Sequence, residues 1–454
     1  MKRSGRGASA TMFRSENALA RACAPETPRA SSARSPRCSP LSFSGSATVY
    51  PLDYVLFVYM LELCFHQGRS TMRITAVQHW LVRMPFSEDI LWASGRRTGA
   101  TRLVVRIDTD AGVVGWGETI CLIEPVRAVF ERVVARLAVG YDVAQVERFG
   151  RHVLGAGYYH HKRAAVMAMA AMEMAMWDAL GRRAGLPLHA LWGGLWRDRV
   201  PASAYLFLPT PAECADKAQA FLDRGYGTFK VKIGFDERSD LALLEAVRER
   251  VGDLPLRADV NGAWFVPTAK RQLARMAPLD LAYVEQPLPL DDLPGHAALR
   301  AGSSVPIALD ESAYTLEDVA AVVRADAADV VLLDPHEAGG LWQTVKSAAL
   351  CEAANLPVTL HSGAELAISQ AAYVHLAASI PNMVLAIDTE RAYLADDVAP
   401  NAVALRDGAF DVPLEPGLGV DPDIEKLERY RVDAIEGAYL DDARPGWFPT
   451  KPQY

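Results

Sequence analysis

The stretch that decides the fold is residues 229–261, which read FKVKIGFDERSDLALLEAVRERVGDLPLRADVN. A short apolar β-run, Phe229–Ile233, comes first, and an amphipathic segment, Ser239–Arg250, follows it. A second β-run, Leu256–Val260, ends the stretch. This order is typical of a βα unit, in which a helix joins two parallel strands.

The same rhythm continues to about residue 400. The further apolar β-runs are Ala282–Val284, Ile307–Leu309, Val330–Leu333, Val358–Leu360 and Val384–Ile387. Helical segments such as Leu316–Arg324 separate them. About seven or eight such units at even spacing predict an α/β fold with a (β/α) barrel, which we assign to residues 196–400.

The part that precedes the barrel, residues 72–195, has the pattern of an α+β domain. Thr101–Asp108 and Val113–Glu118 are β-runs on either side of a turn, which predicts a hairpin. Pro85–Gly99 is predicted to be a loop, and Ala164–Leu180 to be a helix rich in alanine and methionine. Residues 401–454 are predicted to form a tail.

Composition narrows the class of protein. The chain has 454 residues, half of them hydrophobic, and a net charge of −8; this length allows two domains, and the acidic balance argues against a nucleic-acid binder. Six widely spaced cysteines without a CxxC pair favour a reducing cytoplasm. No membrane span is expected.

Residues 1–71 are interpreted as a disordered extension or an upstream mis-called start, with Met72 as the true start.

Polar side chains follow the β-runs in phase with the strand ends. They are Lys230, Lys232, Asp259, Asn261, Glu285, Asp310, Glu311, Asp334, His361, Asp388 and Glu390. Successive positions lie about 24 to 27 residues apart, which is one βα unit each. Because the carboxyl ends of barrel strands meet on one face, where active sites lie, these groups should surround one pocket.

Three of these carboxylates, Asp259, Glu285 and Asp310, come from consecutive strands. Carboxylates that lie close together repel one another, and a divalent cation with oxygen ligands neutralises them, which predicts a Mg²⁺ site. The alternative is that each residue merely caps the following helix. Whether Asp310 or Glu311 is the third ligand stays open.

Two groups in the ring are candidate bases. Lys230 and Lys232 share one face of a strand, so we expect their ammonium groups to depress each other's pKa and to make one lysine a general base; the alternative is a pair of surface lysines. His361 ends a strand next to Asp334, whose carboxylate can orient the imidazole.

Together these motifs resemble the enolase superfamily, within it the mandelate racemase and muconate lactonizing enzyme family. The motifs are Lys230-Val231-Lys232, Asp259-Val260-Asn261-Gly262, Glu285-Gln286-Pro287, Asp310-Glu311-Ser312, Asp334 and His361-Ser362. The resemblance implies a modified TIM barrel, (β/α)7β-like, with an α+β capping domain that the C-terminal tail completes. It also implies a Lys or His base with magnesium.

The closer similarity is to glucarate dehydratases, through Asp334-Pro335-His336 and Tyr205-Leu206-Phe207 among others. It implies that Lys232 and His361 are the two bases and that Lys230 contacts the substrate carboxylate. The substrate-binding residues are then expected to be Tyr205, Asn261, Arg96 and Glu390. The sequence departs from those enzymes at four positions: Gly363 replaces an asparagine, Glu390 a histidine, and Leu440 an arginine that holds the far carboxylate of the substrate, and the third metal ligand is an acid where those enzymes have an amide.

The leading hypothesis is a magnesium-dependent dehydratase of a sugar acid, in which Lys232 or His361 removes the proton next to the carboxylate. A racemase or epimerase comes second and a cycloisomerase third, and a non-catalytic relative would require the loss of a ligand or a base. The expected partner is a small-molecule carboxylate. We expect no nucleic-acid or membrane partner, and we expect a homo-oligomer.

Overall fold

A three-stranded antiparallel sheet opens the fold. The computed structural model describes residues 71–155, 162–435 and 450–454, so the interpretation of residues 1–70 lies outside the described part of the chain. The sheet comprises, in spatial order, β1 (Ile74–Trp92), β2 (Gly95–Thr109) and β3 (Val114–Ile120).

The predicted hairpin of β2 and β3 is confirmed, but the prediction of a loop over Pro85–Gly99 is wrong. There β1 and β2 continue as a ribbon whose register is irregular between Pro85 and Ile90, where Phe86 forms a bridge with Leu394 instead.

Helices cover one face of this sheet. They are α1 (Glu124–Val129), a π-helical turn (Phe130–Val134), α2 (Ala135–Ala138), α3 (Val146–Gly155), α4 (Lys162–Ala184) and α5 (Leu188–Leu191). Helix α4 packs closely on β3 because Gly115 and Gly117 have no side chains. A Cβ at Gly117 would lie 1.9 Å from the carbonyl oxygen of Ala171. By length and composition α4 could cross a membrane, but most of it is buried in this domain, which identifies it as a core helix.

The barrel consists of eight parallel strands. They are β4 (Arg199–Leu206), β5 (Phe229–Lys232), β6 (Leu256–Asp259), β7 (Tyr283–Glu285), β8 (Ile307–Leu309), β9 (Val330–Leu333), β10 (Val358–Leu360) and β11 (Ile387–Asp388). Strands β4 to β10 pair in chain order, and β11 pairs with β4. The Thr359 hydroxyl of β10 donates to the Ala386 carbonyl at 2.8 Å, which brings β10 and β11 together and closes the barrel.

Helices follow the barrel strands on the outside. They are α6 (Pro211–Leu222), α7 (Glu237–Val251), α8 (Val266–Met276), α9 (Leu293–Gly302), α10 (Leu316–Ala325), α11 (Pro335–Ala338), α12 (Leu341–Ala353) and α13 (Ala367–Ser379). Sequence signals define several of their starts. Thr315, for example, forms a capping box with Asp318 at the beginning of α10.

The tail contacts both parts of the protein. A hairpin of β12 (Leu405–Arg406) and β13 (Ala409–Asp411) pairs with β4 of the barrel. After helix α14 (Ile424–Arg429), the Tyr430 carbonyl accepts from Arg83 N–H, and Val432 N–H donates to the Leu81 carbonyl, each at 2.9 Å. The tail therefore completes the sheet domain, and the predicted fold class is confirmed. The predicted residue numbers of the domain boundaries remain predictions.

Candidate active site

Lys230 lies on β5 and is fully buried inside the barrel. Its ammonium donates to Glu285 Oε1 and Asp388 Oδ2, each at 2.7 Å, and to the Tyr205 hydroxyl at 3.1 Å. Burial lowers the pKa of Lys230, but the carboxylates of Asp388 and Glu285 outweigh burial and raise this pKa well above its ordinary value. The prediction that neighbouring ammonium groups depress the pKa is therefore wrong for Lys230.

Lys232 lies closer to the carboxyl end of the same strand and lines a cavity there. Its ammonium donates to Asp259 Oδ2 at 2.6 Å and to Asn261 Oδ1 at 3.2 Å. Asn261 has a left-handed backbone, with φ of 48°, and its N–H donates to Asp259 Oδ1 at 3.0 Å. This turn directs the Asn261 amide back toward the lysine, so Lys232 faces the cavity while Lys230 lies beneath it.

The three predicted metal ligands end consecutive strands and are buried. Burial raises the pKa of Asp259, but the Lys232 and Lys230 ammonium groups outweigh burial and hold it well below its usual range. Burial, together with the Asp259 charge, raises the pKa of Glu285 well above its usual range. Burial likewise raises the pKa of Asp310 to about 7. Burial thus favours the neutral form of Glu285 and Asp310, and a nearby cation is needed to hold them ionised.

The carboxylates are suited to a hard cation. Glu285 Oε2 and Asp310 Oδ1 are buried oxygens without a hydrogen-bond partner, and such oxygens are the ligands that Mg²⁺ prefers. Lys230 occupies the space between Asp259 and Glu285, and within the described residues no three acidic, imidazole or thiol side chains close on a common centre. Glu311, the alternative third ligand, also has an unpartnered oxygen, while its other oxygen accepts from the Asn261 amide at 3.0 Å.

His361 and Asp334 form a dyad at the ends of β10 and β9. His361 Nδ1 lies 3.0 Å from Asp334 Oδ2, and Asp334 Oδ1 accepts from the Tyr373 hydroxyl at 2.9 Å. Burial lowers the pKa of His361, but the Asp310 and Asp334 carboxylates outweigh burial and raise it well above its ordinary value. The imidazole therefore favours the protonated form, with Nε2 at 3.7 Å from Asp310 Oδ2.

A cavity of about 370 Å³ covers these groups, and both Lys232 and His361 line it. Its remaining walls come from the sheet domain, the barrel loops and the end of the chain: Trp92, Ser94, Arg97, Ile120, Leu122, Phe207, Asn261, Gly262, Gln286, Pro289, Leu290, Asp291, Glu311, Tyr314, Glu337, Ser362, Gly363, Glu390 and Lys451. Several polar atoms in this wall are buried and unpartnered, among them Arg97 Nε, Glu390 Oε2 and Lys451 Nζ. Such a wall fits a ligand with many hydrogen-bonding groups.

Not all predicted substrate contacts line the cavity. Asn261 and Glu390 do, but Arg97 takes the place predicted for Arg96, which bonds Asp89 instead. Neighbouring residues of a strand point to opposite sides, so only one of the two arginines can face the cavity. Tyr205 lies one layer too deep, and its hydroxyl donates to Asp388 Oδ2 at 2.6 Å.

Arg97, Glu337 and Lys451 are cavity residues that the sequence did not reveal. Arg97 lies over the Trp92 ring at 4.9 Å, and its Nη2 is 3.7 Å from Glu390 Oε1. The strand alternation could have identified Arg97 if β2 had been predicted to extend that far. No sequence signal identifies Lys451, which reaches the cavity from the end of the chain.

Gly363 occupies the position of the asparagine in glucarate dehydratases. Its carbonyl accepts from Arg102 Nη1 at 3.0 Å, and a Cβ there would lie 2.9 Å from Ile120 Cδ1. A side chain at this position would therefore press against the sheet domain. Leu440, the third departure, lies outside the described residues.

Two family models match most of the chain between residues 74 and 427. Residues 74–193 match the family model of the mandelate racemase / muconate lactonizing enzyme N-terminal domain, and residues 213–427 match the enolase C-terminal domain-like model. A Streptomyces coelicolor protein named "Probable glucarate dehydratase" is 33% identical over 75% of this chain and 86% of its own length. An N-succinylamino acid racemase from Amycolatopsis is 32% identical over 79% of this chain and 97% of its own.

A solved structure shows the same architecture. The enolase from Thermobispora bispora, complexed with magnesium and formate, aligns with a TM-score of 0.74 and 32% identity, over 79% of this chain and 92% of its own. The chain thus belongs to the mandelate racemase and muconate lactonizing enzyme family of the enolase superfamily.

Proposed function

We propose that this protein is a magnesium-dependent dehydratase of a sugar acid. It removes the proton on the carbon next to the carboxylate and eliminates water from the following carbon. The observation that carries this proposal is the shared cavity, into which Lys232 and the His361–Asp334 dyad both open above a set of buried carboxylates.

Asp259, Glu285 and Asp310 would hold the Mg²⁺, and the unpartnered oxygens of Glu285 and Asp310 support this assignment. When bound, Mg²⁺ would attract the substrate carboxylate and stabilise the negative charge that develops on it as the α-proton leaves. Magnesium in the Thermobispora bispora relative is consistent with this choice of ion.

Lys232 and His361 divide the proton transfers between them. Lys232, in its neutral amine form, takes the α-proton, and the carbon–hydrogen electrons form the new double bond. His361 in its protonated form, which the Asp334 carboxylate favours, donates a proton to the departing hydroxyl, which leaves as water. The resulting enol becomes a 2-keto acid. Asp334 fixes the orientation of the imidazole through Nδ1.

A polyhydroxylated acid is the substrate class that the cavity supports best. Its lining supplies Ser94, Arg97, Asn261 and Glu311 as hydrogen-bonding groups, and a sugar acid offers a matching row of hydroxyls. We further propose that the protein is located in the cytoplasm and forms a homo-oligomer. Its proposed binding partner is the sugar acid.

The second candidate is an epimerase that uses the same residues. If Lys232 and His361 face opposite sides of the α-carbon, one removes the proton and the other returns it. The racemase relative from Amycolatopsis favours this candidate. Formation of a 2-keto acid distinguishes the dehydratase from the epimerase.

The test is a screen of acid sugars with Mg²⁺, in which 2-keto acid formation and α-proton exchange in D₂O are measured together. We expect EDTA to abolish both and Mg²⁺ to restore them. Glu285→Gln should abolish both while leaving the circular dichroism spectrum unchanged, and Glu249→Gln, an exposed carboxylate on α7, is the matched control. Full activity after metal removal would contradict the proposed site, and exchange without keto-acid formation would favour the epimerase.

A further inference from the structure

Residues 451–454 form a strap along one wall of the cavity. Lys451, at the beginning of the strap, lines the cavity, and its Nζ is buried without a hydrogen-bond partner. The charged groups that act on this ammonium are Glu311, Asp259 and Lys232. The strap therefore lies at the reacting end of the cavity, where Lys232 would remove the α-proton.

The Tyr454 side chain anchors the strap to the barrel. Its phenol accepts from Trp264 Nε1 at 2.9 Å and donates to the buried carboxylate of Asp240. Phe265 N–H donates to the Tyr454 carbonyl at 2.8 Å. Trp264 and Phe265 belong to the loop after β6, whereas Asp240 lies on α7, so one tyrosine connects two neighbouring βα units.

Asp240 links this anchor to the loop that follows Lys232. Its carboxylate accepts from Gly234 N–H at 2.9 Å and from Phe235 N–H at 3.0 Å. These residues come directly after β5, which ends at Lys232. The bond from Tyr454 to Asp240 therefore supports the backbone that carries the proposed base.

Gln453 attaches the strap to both parts of the protein. Its N–H donates to the Ala263 carbonyl of the barrel at 2.7 Å, and its side-chain amide donates to the Ala93 carbonyl of the sheet domain, also at 2.7 Å. Trp92 and Ser94, on either side of Ala93, line the cavity. The strap thus joins the barrel to the sheet domain beside the cavity.

We propose that the strap closes the cavity over Lys232 and that Tyr454 is a positioning residue, whose phenol anchors the strap and orders the loop after Lys232. Tyr454 is not among the residues that line the cavity, so it acts on the reaction through its neighbours. A closed wall keeps water away from the amine that takes the proton. The effect on turnover rests on the proposed function, whereas the closure is measured without a substrate.

The test uses acetylation of Lys451 to measure how often the strap opens. Burial lowers the pKa of Lys451 to about 8, so at pH 8 a large share of this lysine is free amine, which reacts once acetic anhydride reaches it. Labelling of the full chain with Mg²⁺ is quantified by mass spectrometry relative to Lys270, which is exposed on the outer helix α8. We expect Lys451 in the wild type to react more slowly than Lys270.

Tyr454→Phe removes both phenol bonds and should raise the labelling of Lys451 roughly 10- to 100-fold, since a hydrogen bond to a charged group contributes that much to holding a segment closed. Gln453→Leu removes the bond to the sheet domain and should raise labelling less, because that bond joins neutral groups. Tyr430→Phe is the matched control. Its phenol bonds Asp396 at 2.9 Å, and neither residue lines the cavity, so it should label like the wild type.

Turnover tests the positioning role. On an acid sugar that the wild type converts, Tyr454→Phe should lower kcat for α-proton exchange roughly 10-fold and leave KM nearly unchanged, because it loosens the position of Lys232 and not a contact with the substrate. The circular dichroism spectrum should stay the same. A kcat equal to that of the wild type would overturn the positioning role.

Equally slow labelling of Lys451 in Tyr454→Phe and the wild type would overturn the inference, as would wild-type labelling of Lys451 as fast as that of Lys270. Faster labelling in Tyr454→Phe, combined with a wild type that exchanges the α-proton of no acid sugar, would instead contradict the proposed function and leave the closure by the strap standing.

Discussion

At the scale of single residues, His361 is the group on which dehydration and epimerisation diverge. Its Nδ1 is engaged by Asp334, so only Nε2 is available to a ligand. We predict that His361→Asn lowers elimination by about 10²- to 10⁴-fold, the usual contribution of general acid–base catalysis. Exchange of the α-proton by Lys232 in D₂O should persist. Both rates are measured on the same substrate by NMR.

Lys232→Ala is the companion variant and should lose exchange together with elimination. Asp334→Asn should weaken elimination in the same direction as His361→Asn, because its carboxylate only orients and charges the imidazole. If His361→Asn kept full elimination with every substrate found, the dyad would be structural, and lysine alone would carry the chemistry.

The sequence predicted most of the residues that surround the site, but it did not predict which of them line the cavity and which lie beneath it. Regular spacing placed Lys232, Asp259 and His361 at strand ends, because one βα unit has a nearly constant length. Depth depends on the tilt and stagger of the strands in the closed barrel, which the sequence does not display. Tyr205 and Lys230, which the resemblance implied as substrate contacts, lie beneath the cavity and bond each other there.

At the scale of elements, Glu173 joins the sheet domain to the barrel. It lies on α4, and its carboxylate accepts from the N–H groups of Leu341 and Trp342 at the beginning of α12, at 2.7 and 2.9 Å. Burial raises the pKa of Glu173 from 4.5 to about 7. The folded state therefore favours the protonated acid, so its contribution to stability is complete below pH 4.5 and is lost as the pH rises through 7.

We predict that Glu173→Gln reduces the loss of stability between pH 4.5 and pH 7.5 by on the order of 3 kcal/mol, because a group that cannot ionise has no charged form to penalise. Urea unfolding at several pH values measures the slope. The buried Asp178 and Glu365 have pKa values raised to about 6 and about 7 and should leave a residual slope. Glu249→Gln is the exposed control; a slope unchanged in Glu173→Gln would contradict the prediction.

Most elements were predictable from local pattern, and two were not. The β-runs between Phe229 and Ile387 became barrel strands because their apolar side chains have helices on one side and the barrel interior on the other. The ribbon through Pro85–Gly99 was missed because its polar side chains lack alternation. The β12–β13 hairpin was missed because its strands are too short for a period to be visible and depend on pairing with β4.

At the scale of the whole molecule, a buried ion pair connects the sheet domain to the dyad. Arg102 Nε donates to Glu118 Oε1 at 2.6 Å, and Arg102 Nη2 lies 2.7 Å from His336 Nε2. Burial lowers the pKa of His336 to about 3, so this nitrogen is an acceptor. Glu118 also accepts from Leu366 N–H at 3.0 Å, on the segment that follows the His361 loop. Both loops of the dyad therefore depend on one pair in the neighbouring domain.

We predict that Glu118→Gln lowers the free energy of unfolding by about 3–5 kcal/mol, because it leaves the buried Arg102 charge without its partner. Unfolding in urea, followed by tryptophan fluorescence, measures the loss. Glu131→Gln is the matched control, since the Glu131–Arg127 pair is about one-third exposed and should contribute less than about 1 kcal/mol. If Glu118→Gln and Glu131→Gln lowered the free energy of unfolding equally, the buried Arg102–Glu118 pair would contribute no more than the exposed pair, which would contradict the prediction.

The join between β1 and the tail has a consequence for synthesis on the ribosome. Trp80 and Glu428, which bond at 2.6 Å, are 348 residues apart in sequence. All eight barrel strands lie between them, so this contact of the sheet domain forms only after the whole barrel has been synthesised. Contacts across such a separation are slow to assemble, and partly built intermediates expose apolar surface. A nascent chain that stops within the barrel therefore lacks the part of the cavity wall that Lys451 forms.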